Sequence, residues 1–322
     1  MPNRPSVIGM TEKLVLGAML FGTVQDERRS FELLDRFVAA GGVWIDTANC
    51  YAFWEDPSGF GTQSETLLGR WFASRPGVRE RVKISTKVGC EPLEAGRFPE
   101  TAEGLAAGVI KNGIEASLRR LGTDHVELYW AHKPDPVTPL EETVAAFDEL
   151  VSAGLVDRLG GSNYPTWQIE RARGIARATG ATGFTAVQQQ YSYLRPRPDT
   201  RPSVVHRFGA ATDEVIHYLE HNPDMALWAY TPLLSGSYTR TDKPLAPEYD
   251  HEGTKRRLAA LDEVAAELGT NRNRVVLAWL TGADPVVTPI VGVSTVAQLD
   301  EAMAGAALPL TAGQRERLDA AV

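Results

Sequence analysis

The sequence predicts an α/β protein folded as a parallel (β/α)8 TIM barrel, and three observations predict it. Eight short apolar or β-branched runs alternate with longer segments of helical spacing along 322 residues. Most of the runs are apolar on both faces, as strands of a sheet covered on both sides must be. The turn Gly-x-Gly-x-x-Gly is missing after the first run; Gly17-Ala18-Met19 is the nearest stretch and has the wrong spacing. Closure into a barrel is therefore preferred over an open dinucleotide-binding sheet.

Strands are expected at 14–19, 43–46, 82–87, 125–132, 159–162, 186–191, 225–230 and 286–291. Helices are expected between and after them at 27–40, 65–73, 103–121, 140–153, 166–179, 212–220, 254–268 with 272–281, and 295–304. The helix at 103–121 places Val109, Ile110, Ile114, Leu118 and Leu121 on one apolar stripe. Gly41-Gly42, Gly122, Gly154 and Gly180 each follow a helical run, where a left-handed residue closes the last turn. Two long irregular stretches, 195–211 and 235–253, follow strands and so emerge at the C-terminal face, where barrel enzymes keep their sites. With no linker or low-complexity tract, residues 1–322 read as one barrel domain with long C-terminal-face loops.

Composition narrows the function. A chain 43% apolar and 23% charged has the balance of a soluble globular protein, and no apolar run approaches the ~20 residues of a membrane span. The N-terminal ten residues have no signal-peptide core, so a cytoplasmic location is the expectation. Two cysteines, Cys50 and Cys90, give no disulfide framework, and the histidines are read as lacking metal-ligand spacing, so no metal is expected. A net charge of -8 argues against nucleic acid as a partner.

Four residues converge if the strands are placed correctly. Asp46 ends the second strand, Tyr51 lies in the loop beyond it, Lys87 ends the third and His132 ends the fourth. Carbonyl reduction needs this set. Hydride addition leaves an oxyanion that must be protonated, and a phenol of pKa ~10 is a poor acid at neutral pH. A lysine cation beside it favours phenolate, an aspartate holds the lysine, and an imidazole positions the substrate oxygen. Singly, each has a plainer reading as turn former, rim packing or hydrogen-bonded core residue; four compatible types at successive strand ends shift the balance.

The chain resembles the aldo-keto reductases. The run from Gly42 to Tyr51 resembles G-x-x-x-x-D-T-A-x-x-Y, with Asp46, Thr47, Ala48 and Tyr51 in register and Gly42 one position nearer to Asp46 than the motif's glycine, and Ser64, Glu65, Leu68 and Gly69 fall in its S-E-x-x-L-G-like stretch. Thr86-Lys87, Leu128-Tyr129 with His132, Pro134 and Asp135, Gly160 with Ser162-Asn163-Tyr164, and Val187-Gln188 with Tyr191-Ser192 continue the pattern. Gln190 stands where the family has glutamate. The resemblance implies Tyr51 as proton donor, Lys87 and Asp46 as its modulators, and His132 as substrate orienter.

It also implies a nicotinamide cofactor across the barrel mouth. Ser162, Asn163 and Gln188 would hold the carboxamide, Tyr230 would stack on the ring, and Thr231, Leu233 and Ser235 would line the pyrophosphate. Gly17 and Met19 at the first strand end, and Gly292, Ser294 and Gln298 after the eighth, complete the set. The stretch from Gly292 to Glu301 departs from the family in having no lysine or arginine for a 2′-phosphate, and Ala302 replaces the usual asparagine. Arg272 or Arg274 is the candidate substitute. NADPH is the expected cofactor by family habit, with NADH or dual use open.

The substrate is expected to be a small-molecule aldehyde or ketone, with a sugar or cyclic ketone as candidates. Phe53, Trp54 and Phe60 offer an aromatic wall, and Gly89 leaves room beside Lys87. The arginines at 195, 197, 201 and 207 are better read as a solvated basic loop than as an anion site. Two other readings stand beside the reductase: a Schiff-base aldolase using Lys87, and a cofactor-binding regulatory subunit of a channel with little turnover. Oligomeric state is left open, a monomer included.

Overall fold

The computed structural model describes residues 12–200 and 206–321. Eight parallel strands close into a barrel in chain order: β1 (Val15–Gly17), β2 (Trp44–Asp46), β3 (Lys83–Val88), β4 (Leu128–Ala131), β5 (Leu159–Ser162), β6 (Ala186–Gln190), β7 (Ala226–Tyr230) and β8 (Val287–Val291). Ten α-helices occur among the described residues: α1 (Glu27–Ala39), α2 (Gln63–Ser74), α3 (Ala107–Leu121), α4 (Leu140–Ser152), α5 (Thr166–Thr179), α6 (Asp213–His221), α7 (Glu252–Glu267), α8 (Arg272–Thr281), α9 (Val296–Ala307) and α10 (Ala312–Ala320). The predicted (β/α)8 TIM barrel is the observed fold. None of these helices is long and apolar enough to cross a membrane.

Side-chain alternation divides each strand between two cores. Leu16, Ile45, Ile84, Tyr129, Leu159, Val187 and Leu227 face outward, into the apolar layer under the helices. Val15, Trp44, Leu128, Trp130, Ala186, Trp228 and Ile290 form a separate cluster that fills the barrel. Trp228 meets Trp44 and Trp130 edge-on, with ring centroids 5.0 and 5.4 Å apart. Gly160 has no side chain because the Trp130 ring occupies the place of a Cβ.

Three of the boundaries that differ from the sequence expectation have a visible cause. Strand β1 stops at Gly17, since the chain turns at once, Phe21 N donating to Ala18 O at 3.0 Å. Strand β4 begins at Leu128, not 125, because the Glu127 carboxylate takes the Ile84 amide at 2.6 Å. Helix α3 begins at Ala107, not Glu103. Gly104 has φ +74°, Asp135 takes the Leu105 amide at 2.7 Å, and the Glu103 carboxylate accepts from Gly89 N at 2.7 Å. Its apolar stripe is as expected at Ile110, Ile114, Leu118 and Leu121. Helix α10 was not expected from sequence; Thr311 and Gln314 start it with a reciprocal capping box.

Candidate active site

One step of the same alternation above the tryptophans, the inward positions turn polar. They are Asp46, Lys87, Ser162, Gln188 and Tyr230 on β2, β3, β5, β6 and β7, with His132 one residue past β4. Parallel strands deliver these ends to one face, so residues spread over 185 positions of sequence share one mouth.

Asp46 and Lys87 form a buried ion pair, Oδ2 to Nζ 2.5 Å. Every remaining bond braces it. Ser85 Oγ donates to Asp46 Oδ1 at 2.6 Å, Gln188 Nε2 reaches the same oxygen from across the barrel at 3.2 Å, and Lys87 Nζ donates to Thr47 O at 2.6 Å. A buried pair survives only when its leftover donors and acceptors are met in this way. Those bonds commit two of the three Lys87 donors and hold it as a cation against Asp46, which disfavours its use as a free amine for a Schiff base.

Tyr51 lies against this pair, with Lys87 Nζ 4.5 Å from its ring centroid. His132 stands edge-on to it at 5.6 Å and Trp54 at 6.0 Å. Burial first, then the charge on Asp46, holds the Tyr51 hydroxyl well above its ordinary value. The depression expected from Lys87 therefore does not prevail over burial and the Asp46 charge. Tyr51 is a neutral phenol carrying its proton. Burial, then Lys87 and His206, push His132 well below the ordinary imidazole range, so it is neutral as well. Its Nδ1 lies 3.6 Å from Cys50 Sγ, whose thiol burial raises far above the usual range.

The cofactor candidates divide into two groups. Ser162, Asn163 and Gln188 are buried at the mouth, with Asn163 Nδ2 donating to His132 O at 2.9 Å and to Ser162 Oγ at 3.0 Å. Tyr230 Oη donates to Asn163 Oδ1 at 2.9 Å, beside Gly209 of the loop after β6. That approach requires glycine, because a Cβ there would sit 2.7 Å from Tyr230 Oη and 2.8 Å from Asn163 Oδ1. Past Tyr230, Thr231, Leu234 and Ser235 have φ of 53°, 47° and 56°. Left-handed backbone at a β-branched residue and at leucine is costly, and clusters of it mark ligand-handling loops.

The second group lies outward on the rim. Met19, Ser235, Gly292 and Ser294 are exposed, Gly17 and Leu233 half-buried. Ser294 N and Oγ both donate to Gln298 Oε1, at 2.8 and 3.0 Å. Arg272 does not serve this loop, since Asp262 and Tyr238 O hold its guanidinium. Arg29 does reach it, donating from Nη1 to Ser294 O at 2.9 Å.

Of the aromatic wall, Trp54 sits against Tyr51 and Phe53 packs between Trp54 and Phe98, each at 5.0 Å, while Trp54 and Phe60 are both exposed. Of the basic loop, Arg195 lies over Tyr191 and near Asp213, Arg197 near Asp199, and Arg207 over Phe208; Arg201 is outside the described residues. A groove of about 720 Å³ runs from Asn163 between Lys133, Trp167, His206 and Phe208. A larger hollow, about 1160 Å³, opens at the opposite end of β2 to β4 around Val43, Arg79 and Lys83, away from the polar layer.

Sequence reasoning passed over Ser85, Cys50 and His206 at this site. Ser85 was findable, being two residues before Lys87 and so inward-facing; His206 comes from an irregular loop that carries no such signal.

The aldo/keto reductase family model matches residues 13–322. The chain is 34% identical over 290 residues to an uncharacterized oxidoreductase, YrpG, of Bacillus subtilis, covering 89% of this chain and 85% of that one. It is 30% identical over 331 residues to the norsolorinic acid reductase stcV of Emericella nidulans, covering 93% and 78%. The aldo-keto reductase ausK of the same fungus is 30% identical over 335 residues, covering 95% and 77%. With its closed eight-stranded barrel and a family match along nearly its whole length, the chain belongs to the aldo/keto reductase family.

Proposed function

We propose that the protein reduces an aldehyde or ketone to an alcohol with NAD(P)H, taking the proton from Tyr51. The observation that carries this reading is the Tyr51 ring held between the His132 imidazole and a Lys87 ammonium already paired to Asp46. Bound at the mouth, a reduced nicotinamide supplies hydride to the carbonyl carbon. The chain's residues do the rest. Tyr51 Oη gives its proton to the oxygen on which charge develops. Lys87, 4.5 Å from the ring, steadies the phenolate left behind, and Asp46 keeps that cation in place.

His132 aligns the same oxygen. The Cys50 thiol beside Nδ1 favours S–H donation to that nitrogen, which leaves the ring proton on Nε2 as the substrate's donor. The donor set fits the cofactor. Buried hydroxyl and amide groups of Ser162, Asn163 and Gln188 suit a carboxamide, Tyr230 a flat ring, and the strained backbone at 231–235 a pyrophosphate. Gly17, Met19, Gly292, Ser294 and Gln298 continue this trough outward. Arg29 brings a guanidinium to a rim without basic residues of its own, which supports NADPH while leaving NADH usable. Trp54 and the groove beyond Asn163 serve the substrate.

The test follows tryptophan fluorescence during titration with NADPH and NADH, then carbonyl reduction by wild type and Tyr51→Phe. Trp54 against Tyr51 makes the mouth self-reporting. The expected result is cofactor binding by both proteins and a loss of turnover of about 10²–10⁴-fold in the variant, the range of general-acid contributions. Binding of neither nucleotide, or retained turnover, would overturn the reading.

A further inference from the structure

Away from the mouth, helix α6 carries a group that the reductase reading does not use. Contrary to the expectation that no histidines have metal-ligand spacing, His217 and His221 lie four residues apart on α6. That spacing stacks side chains one turn apart on one face. Their ring centroids are 4.4 Å apart, and Glu220 stands beside them with Oε2 3.5 Å from His217 Nδ1. One ligand atom from each of the three lies within 4.8 Å of the others.

We propose that His217, Glu220 and His221 bind one divalent transition-metal ion of the zinc and nickel type. Three features support it. His221 Nδ1 lies 2.9 Å from His217 O. A carbonyl only accepts, so the ring proton sits on Nδ1 and the Nε2 lone pair is free. A ligating histidine is usually fixed in this way, its second nitrogen donating to a carbonyl or carboxylate. His221 also ends α6, where unsatisfied carbonyls carry partial negative charge and a cation is favoured. Finally, two imidazoles and one carboxylate suit zinc and nickel, whereas magnesium and calcium take oxygen ligands. All three side chains are exposed, so closing on an ion needs rotamer changes and no repacking.

Calorimetric titration of the tag-free full chain with zinc or nickel chloride tests this. Magnesium chloride serves as the comparison, and circular dichroism confirms that each variant is folded. The proposal expects one ion per chain and silence with magnesium. Removing one of three ligands in His217→Ala or His221→Ala should weaken binding by about tenfold or more, and the double variant should abolish it. No heat with either ion would overturn the proposal. So would undiminished binding in the double variant, which would assign the ion elsewhere, such as the His132–His206 pair with centroids 6.5 Å apart.

Discussion

The floor and the mouth of the barrel are built by the same strands in the same alternation, yet they are held by opposite means. In the floor, Trp44, Trp130 and Trp228 fill the interior by shape, and no member of that cluster carries a charge. One inward step higher, Asp46 and Lys87 are equally buried and survive only through bonds from Ser85, Gln188 and Thr47 O. A packed floor tolerates loss in proportion to the volume removed; a buried charged layer fails when a single partner goes. The floor stabilises the barrel, and the mouth uses that rigidity to keep two charges where water would otherwise separate them.

The sharpest way to break this contrast is Lys87→Met. It strands Asp46 without its cation, so a destabilisation of about 3–5 kcal/mol is expected in urea denaturation, together with lost reduction. Adding Asp46→Asn should restore most of the stability and none of the turnover. If the single variant is as stable as wild type, the mouth is not held by charge pairing.

Trp228→Ala attacks the floor instead, with about 3–5 kcal/mol expected from the cavity. The folded fraction should keep its KM, because the polar layer above is untouched.

A smaller effect concerns Glu91, which braces the loop beyond Tyr51 by accepting from Gly61 N at 2.8 Å. Burial raises its carboxyl to about 7. The folded protein thus keeps a proton that the unfolded chain releases near pH ~4.3, and stability falls as pH climbs between these values. Glu91→Gln should remove that loss, so its gain in stability should be clearly larger at pH 8 than at pH 5. Equal melting shifts at the two pH values would contradict it.

Least visible is a flat pH profile. With Tyr51 held above its ordinary value and His132 below its own, kcat/KM for reduction should show no inflection between about pH 6 and 9. It should decline only as the phenol ionises at higher pH. An inflection in the histidine range that persists in Glu91→Gln would mean that His132 titrates during turnover.

Asp46, Tyr51, Lys87 and His132 were legible because strand ends can be counted, and parallel strands must bring their ends to one face. The boundaries of β4 and α3 were not. Glu127 and Glu103 use their carboxylates on backbone amides from other segments, and propensity does not register such long-range bonds. The direction of the Tyr51 pKa shift was not legible for a related reason. Proximity of a lysine suggested a lowered pKa, whereas the fold gives that lysine to Asp46 and buries the phenol.

The sequence by itself determined the barrel, its order of strands and the convergence of Asp46, Lys87 and His132 at strand ends, because periodicity and strand-end chemistry are local properties of the chain. The tertiary structure alone decided which charges meet, that Gly209 crosses beside Tyr230, that Arg29 reaches Ser294, and that Cys50 faces His132. Those depend on separations of a few ångströms between segments far apart in the chain, and no local pattern fixes such distances.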